Sequence, residues 1–214
     1  MSSDGFVVSF ASSEDARAWL IDRVAHLARM VGQPGSPRVS FNALRTANVA
    51  GSGSSSPAMY FWETDELVIH PSQVSTGAID TRLADAILLH ELGHRVDRGP
   101  RLRSRARYGL IGCTIPVGVW FLLSNSWWAA GCLALAAVLG VAWSLWNSSA
   151  QRRAEDVADD YALEHGGSEP ILMFLNACAA DPSSRGTAVH RDPQDRLARI
   201  ERKSKAAGAI QRRN

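Results

Sequence analysis

Two histidines and a glutamate lie close together in the stretch His-Glu-Leu-Gly-His, residues 90 to 94. Residues four apart share one face of an α-helix, so the imidazoles of His90 and His94 can bind one metal ion. This spacing is typical of zinc sites in which the glutamate accepts a proton from a metal-activated water. His90 and His94 are therefore candidate zinc ligands, and Glu91 is a candidate general base. Two surface histidines with an incidental glutamate are the alternative.

A catalytic zinc site needs a third protein ligand and one open position. No further histidine follows at the HxxGxxH spacing, so the third ligand must come from a distant part of the chain. The later stretch AEDVADDYALEH offers Glu155, Glu164 and His165, and spacing alone does not choose among them. Asp159, four residues after Glu155, could accept the N–H of a ligating histidine. A charged, solvated helix face is the alternative for this stretch.

The elements that must position these residues are indicated by hydrophobic periodicity and turn signals. Apolar residues at helical spacing predict a helix over Ser12 to Val31, capped at Ser13, and another over Asp80 to Val96 that carries the histidine motif. Between them, one or two strands are expected over Arg38 to Gly53. A β-hairpin is expected from Ala58 to Trp62 and from Leu67 to His70.

No charged residue occurs from Gly109 to Trp146, and a polar Ser124–Ser126 interrupts this run. Such a run predicts a transmembrane hairpin of two helices, at about 108–124 and 127–146. Arginines flank the run on both sides and its middle has none, which predicts that both termini are cytoplasmic. A multi-pass protein of the cell (inner) membrane is therefore expected. A buried helical hairpin in a soluble protein is the alternative.

Bulk composition excludes several classes of protein. The net charge of +2 gives no field that would favour nucleic acid, so no nucleic-acid partner is expected. Three cysteines without a CxxC pair make a disulfide framework or a cysteine zinc site improbable on this sequence. The N-terminus lacks a basic segment followed by an apolar one, so no cleavable signal peptide is expected.

The HELGH motif, the uncharged run and the later Glu155-Asp-Val-Ala-Asp159, in that order, resemble the HtpX-like and CAAX-prenyl-protease-like membrane zinc metallopeptidases. The resemblance implies an α+β fold: a mainly helical zincin-like (gluzincin) domain with a small antiparallel sheet, interrupted by the transmembrane hairpin. It divides the chain into an N-terminal part of the peptidase domain (1–107), the hairpin (108–147) and a C-terminal part (148–214). It also implies that Glu155 is the third zinc ligand and that Asp159 supports a ligating histidine.

Two weaker similarities extend this resemblance. His190 and Arg196 keep the six-residue spacing of a C-terminal family motif, which implies that they bind the substrate carbonyl or the developing oxyanion. A helix cap and a salt-bridging arginine are the alternative. The stretch Asn48-Val-Ala-Gly51 resembles a family edge strand that could pair with an extended peptide, although a turn is the favoured interpretation of Asn48.

The expected function is therefore that of a membrane-anchored zinc endopeptidase with one Zn²⁺ per chain. It would act on protein or peptide substrates in or near the membrane. Two alternatives stay open: a catalytically silent membrane protein that binds zinc or serves as a scaffold, and a soluble regulatory metalloprotease with a buried apolar hairpin. The sequence does not indicate an oligomeric state.

Overall fold

The computed structural model describes residues 6–48, 56–75, 77–97, 128–181 and 191–211, with the isolated positions 99 and 119. These residues form a mainly helical chain with two small sheets. The helices are α1 (Ser13–Met30), α2 (Ala43–Asn48), α3 (Thr81–Val96), α4 (Trp128–Gly166), α5 (Ser168–Ala180) and α6 (Pro193–Gln211). The strands are β1 (Val7–Ser9), β2 (Arg38–Phe41), β3 (Ala58–Phe61), β4 (Glu66–Ile69) and β5 (Ala78–Asp80), and a 3-10 turn spans Pro71–Val74.

The larger sheet has the strand order β2-β4-β3. Strands β3 and β4 form the predicted antiparallel hairpin, with Tyr60 opposite Leu67, whereas β2 runs parallel to β4, with Val39 opposite Leu67. The sheet is therefore mixed, and the expectation of a purely antiparallel sheet is wrong. Strands β1 and β5 form a separate antiparallel pair. Within the described ranges, β3 is an edge strand, and it lies beside helix α3.

The segment after β2 differs from the strand that its sequence predicts. Asn42 accepts hydrogen bonds from the amides of Leu44 and Arg45 with its side chain, and this caps the short helix α2. Asn48 is the last residue of α2, and residues 49–51 lie outside the described part of the chain. The described edge strand beside α3 is β3, and the predicted edge strand over 48–51 stays a prediction beyond Asn48.

The apolar core lies between α1, the β3–β4 hairpin and the helices α3, α4, α5 and α6. The N-cap of helix α1 is Ser12, one residue before the predicted cap Ser13, because the Ser12 side chain accepts the amide of Asp15 at 3.1 Å. The apolar face of α1 is buried, and the side of α3 that faces α1 is buried as well. Fully or nearly fully buried members of this core include Val24, Leu27, Leu67, Leu88, Leu89, Leu92, Ile171, Leu175 and Ile200.

The predicted transmembrane hairpin is wrong. Among the described residues, no helix is both long enough and apolar enough to cross a membrane. The second predicted arm, 127–146, is not a separate span: its residues from Trp128 onward form the first half of α4, which continues without a break through the polar stretch to Gly166. The first arm, 108–124, lies outside the described residues apart from Val119. The predicted inner-membrane location depends on this hairpin and stays a prediction.

Candidate metal centre

Helix α3 presents the histidine motif to the interior. The helix starts at Asp80, whose side chain accepts the amides of Arg82 at 2.9 Å and Leu83 at 3.2 Å. Ten residues later, His90 and His94 lie one turn apart on the same face, with ring centroids 4.8 Å apart. His90 is buried, and the side chain of His94 is 19% exposed. The two imidazoles therefore meet at the inner face of α3, as their spacing predicts.

Helix α4 brings Glu155 to these two imidazoles. One Glu155 carboxylate oxygen lies 3.5 Å from Nε2 of His90, and the other lies 3.8 Å from Nε2 of His94. Donor atoms of the three residues all lie within 4.8 Å of one another. His90, His94 and Glu155 thus form a triad that could hold a metal ion. Two imidazoles and one carboxylate are a donor set of catalytic zinc sites, so the residues present fit that group.

The approach of α4 to α3 depends on the glycine within the motif. A Cβ atom at Gly93 would lie 2.7 Å from Cα of Ala158 and 3.1 Å from Cβ of Tyr161. Real Cβ atoms do not approach backbone that closely, so only glycine fits between the helices without a shift. Ala158, which is fully buried, supplies the complementary small side chain. Gly93 and Ala158 together set the distance over which Glu155 reaches the histidines.

Asp159 and Arg196 hold the triad from behind. Asp159, which is fully buried, places Oδ1 3.1 Å from Nδ1 of His90. Arg196 of α6 donates to both Asp159 oxygens, from Nη2 at 2.6 Å and Nε at 3.0 Å. Its Nη1 lies 3.2 Å from a Glu155 oxygen. A ligating histidine that is fixed through its other nitrogen by a carboxylate is a common arrangement in metal sites.

A second row of ion pairs joins α6 to the outer face of α4. Arg199 contacts Asp156 at 3.3 Å and Asp160 at 2.8 Å, and Arg191 contacts Asp156 at 3.0 Å. Lys203 also reaches Asp160, at 2.7 Å. These contacts use the acidic residues of α4 that alternate with Glu155 and Asp159. The acidic stretch of α4 therefore divides into an inner face, which meets the histidines and Arg196, and an outer face, which binds Arg191, Arg199 and Lys203.

Glu91 is buried beside the triad and is held by the backbone of the edge strand. The amide of Tyr60, in the middle of β3, donates to Oε2 of Glu91 at 2.7 Å. Glu91 itself is 7% exposed. Phe174 of α5 lies against the site on the other side, with its ring centroid 5.4 Å from that of His90. The carboxylate is thus fixed by a main-chain donor in a partly apolar environment.

Burial and charge shift the pKa values of His90, His94, Glu91 and Asp159. Burial lowers the pKa of His90, but the Asp159 and Glu155 carboxylates outweigh this effect and raise it to about 9. Burial lowers the pKa of His94 to about 4. Burial raises the pKa of Glu91 to about 7. Burial also acts to raise the pKa of Asp159, but the neighbouring His90 and the hydrogen-bonded Arg196 lower it to about 2.

The structure separates the three candidates for the third ligand. Glu155 joins the histidines, whereas Glu164 and His165 lie more than two turns further along α4 and belong to no such group among the described residues. The His165 ring instead packs edge-on against Tyr161, with centroids 4.4 Å apart. His190 lies outside the described residues. Arg196 is brought to the site, where it contacts Glu155 and Asp159.

Three contributions to the site were missed in the sequence. The Tyr60 amide is a backbone donor, and side-chain patterns do not report backbone donors. Phe174 lies in an apolar stretch of α5 in which nothing distinguishes it from core residues. The packing role of Gly93 had a signal, since an isolated glycine in a helical pattern often marks a close contact.

No family model, no curated protein and no solved structure matches this chain. The assignment of the site therefore depends on its own residues and geometry.

Proposed function

We propose that this protein is a zinc-dependent peptidase that hydrolyses peptide bonds in protein or peptide substrates. The observation that carries this proposal is the convergence of His90, His94 and Glu155 beside the buried carboxylate of Glu91. Metal binding alone requires the three ligands but no further carboxylate. A carboxylate with a pKa near neutrality beside a metal triad has the properties of a general acid–base group.

In this proposal His90, His94 and Glu155 hold one zinc ion. Zinc bound there supplies Lewis acidity, which lowers the pKa of a water molecule and polarises a carbonyl group. Glu91 takes a proton from the attacking water and passes it to the leaving amine. The Tyr60 amide orients the Glu91 carboxylate for both transfers. Asp159 holds the imidazole of His90 through Nδ1.

The contacts of Arg196 favour a supporting role for this residue. Its three guanidinium nitrogens contact Glu155 and Asp159 at distances from 2.6 to 3.2 Å. We infer that Arg196 holds one Glu155 oxygen and fixes Asp159 against His90, in place of a direct contact with a substrate oxygen. The predicted participation of His190 in catalysis stays a prediction.

The proposal is tested by measuring zinc content and casein hydrolysis for the wild-type protein and for Glu91→Gln. The variant should retain stoichiometric zinc, because it keeps all three ligands, and lose about 10²–10⁴-fold in kcat, because it lacks the base. Glu164→Gln, on an outer part of α4, is the control and should match the wild type in both measurements. Zinc binding without hydrolysis in the wild type would favour the alternative of a catalytically silent zinc-binding protein.

A further inference from the structure

Arg95, directly after the histidine motif, uses every N–H group of its guanidinium. Its Nε donates to Asp65 at 2.8 Å and its Nη2 to the other Asp65 oxygen at 2.7 Å. The remaining donors reach Gln33 at 3.1 Å and the carbonyls of Gly35 at 2.7 Å and Pro34 at 3.3 Å. An arginine has five N–H donors, so all of them are matched here. A side chain held at five points is fixed in one conformation.

Asp65 is the partner of Arg95 in the turn between β3 and β4. Its backbone has φ of +48°, a left-handed conformation that aspartate and asparagine tolerate better than most residues. Besides Arg95, its Oδ1 accepts the hydroxyl of Tyr60 at 2.7 Å. The same carboxylate thus joins the end of α3 to the middle of β3.

Strand β3 is consequently attached to α3 at two places through one residue. The Tyr60 amide donates to Glu91, and the Tyr60 hydroxyl reaches Arg95 through Asp65. Glu91 and Arg95 are four residues apart, so the two attachments lie one helical turn apart on α3. Two attachments fix the position of a strand along the helix as well as its distance from the helix.

We propose that Asp65 and Arg95 are positioning residues that hold β3 in register with α3 and thereby keep the Tyr60 amide on Glu91. The catalytic consequence rests on the proposed peptidase function. Neither residue touches the metal triad, so their loss should affect the proton-transferring carboxylate and spare the zinc ligands. A loss of activity with unchanged zinc affinity would therefore indicate a positioning role, whereas a loss of both would indicate a role in the stability of the whole fold.

The test compares Asp65→Asn with Asp85→Asn in the full chain. Asparagine keeps the shape and tolerates the positive φ, but it cannot accept both Arg95 donors. Asp85 of α3 is a matched control, because it also binds an arginine through both carboxylate oxygens. Its partner is Arg23 of α1, whose Nε donates to Asp85 at 2.6 Å. We expect Asp65→Asn to lower kcat about 10-fold with zinc affinity changed by less than about twofold. Asp85→Asn should change neither, and equal kcat in the two variants would overturn the proposal.

A second variant and a second readout make the test independent of how well Asp65→Asn folds. Tyr60→Phe removes only the hydroxyl that reaches Asp65 and should lower kcat about 3-fold. Hydrogen exchange of the residue 60 amide should be faster in Asp65→Asn and Tyr60→Phe than in Asp85→Asn. If wild-type protein binds zinc but hydrolyses nothing, the proposed function fails, and amide exchange still decides the positioning claim. Unchanged exchange in both variants would overturn it.

Discussion

At the scale of single residues, two side chains of the triad, His90 and Glu155, have a protein partner outside it. His90 has Asp159 near its Nδ1, so its Nε2 is the nitrogen directed to Glu155. Glu155 in turn lies beside Arg196, whose Nη1 contacts the same carboxylate oxygen that faces Nε2 of His90. Such partners reduce the orientations that a ligand must lose when it binds an ion, which raises affinity.

The ligand assignment predicts large effects of substitutions at His94 and Glu155. His94→Ala and Glu155→Ala should each weaken zinc binding by more than about 100-fold, because each removes one of three donors. Competition against a fluorescent chelator measures the affinities. Glu164→Ala, on the same helix as Glu155, is the control and should bind zinc like the wild type. Wild-type affinity in Glu155→Ala would exclude it as a ligand.

Asp159 should have an intermediate effect. Asp159→Asn keeps the shape of the side chain but removes its negative charge, which weakens its contacts with His90 and Arg196. Zinc affinity should therefore fall about 10–100-fold. Asp160→Asn is the matched control, because the neighbouring Asp160 binds Arg199 and Lys203 on the outer face of α4. The same chelator competition ranks them. If both variants bind zinc equally, Asp159 does not support the site.

At the scale of elements, the site exists because two helices meet at one small-residue contact. Glu155 lies one turn before Ala158 on α4, and His90 and His94 flank Gly93 on α3. The contact therefore lies at the level of the triad, and a change in helix separation there moves ligands directly. In the apolar half of α4, a Cβ atom at Gly131 or Gly140 would meet no described atom within 4 Å, and Val138 and Leu145 are 64% and 66% exposed.

Substitution of Gly93 tests this contact. Gly93→Ala gains helix propensity of about 1 kcal/mol, but its Cβ meets the α4 backbone, so the free energy of unfolding should fall by about 1–3 kcal/mol overall. Zinc affinity should fall with it. Gly140→Ala in α4 is the control, because a Cβ there meets nothing within 4 Å, and it should be neutral or stabilising. Chemical denaturation measures both, and a stabilised Gly93→Ala would contradict the assigned role.

At the scale of the whole molecule, a buried acid outside the site should make stability depend on pH. The pKa of Glu66, which is 2% exposed, is lowered from its ordinary value by a hydrogen bond from Ser40 and by the positive charges of Arg45 and Arg38. A lowered folded-state pKa contributes stability above the unfolded pKa, and this stability is lost as pH falls through the folded pKa. Glu66→Gln should therefore lower the unfolding free energy by about 1–3 kcal/mol at pH 7.

The difference between wild type and Glu66→Gln should be constant from pH 7 to about 5 and shrink below pH 4.5. Urea denaturation at several pH values measures it. Glu63→Gln, an exposed position in the same turn, is the control and should differ little from the wild type at any pH. A difference that grows on acidification would mean that the charge of Glu66 destabilises the fold.

The sequence predicts the local features well, because they depend on spacing within one element. The pairing of His90 with His94 follows from helical periodicity, and the β3–β4 hairpin follows from its turn residues. The break after Trp146 is predicted wrongly, since the change from apolar to polar residues suggests a boundary. The segment Asn147 to Arg153 contains no glycine or proline, so nothing interrupts the backbone hydrogen bonds of α4 there.

Features that depend on distant parts of the chain could not be predicted. Sequence spacing does not distinguish Glu155 from His165 as the third ligand. The point at which α4 crosses α3, at Gly93, determines which of them reaches the histidines. The hydrogen bond from the Tyr60 amide to Glu91 depends on the register of β3 against α3. No local sequence pattern predicts that register. Three-dimensional proximity, rather than residue type, selects among the candidates.

The guanidinium of Arg196 also contributes to the net charge of the buried site. When Glu91, Glu155 and Asp159 are ionised and both imidazoles are neutral, Arg196 cancels one of three negative charges and leaves two. A divalent cation between the imidazoles brings the total to zero, whereas a monovalent one leaves a unit of buried charge, which carries a large self-energy in a medium of low polarity. With these charge states, electroneutrality would favour a divalent over a monovalent ion at a metal site formed by the triad.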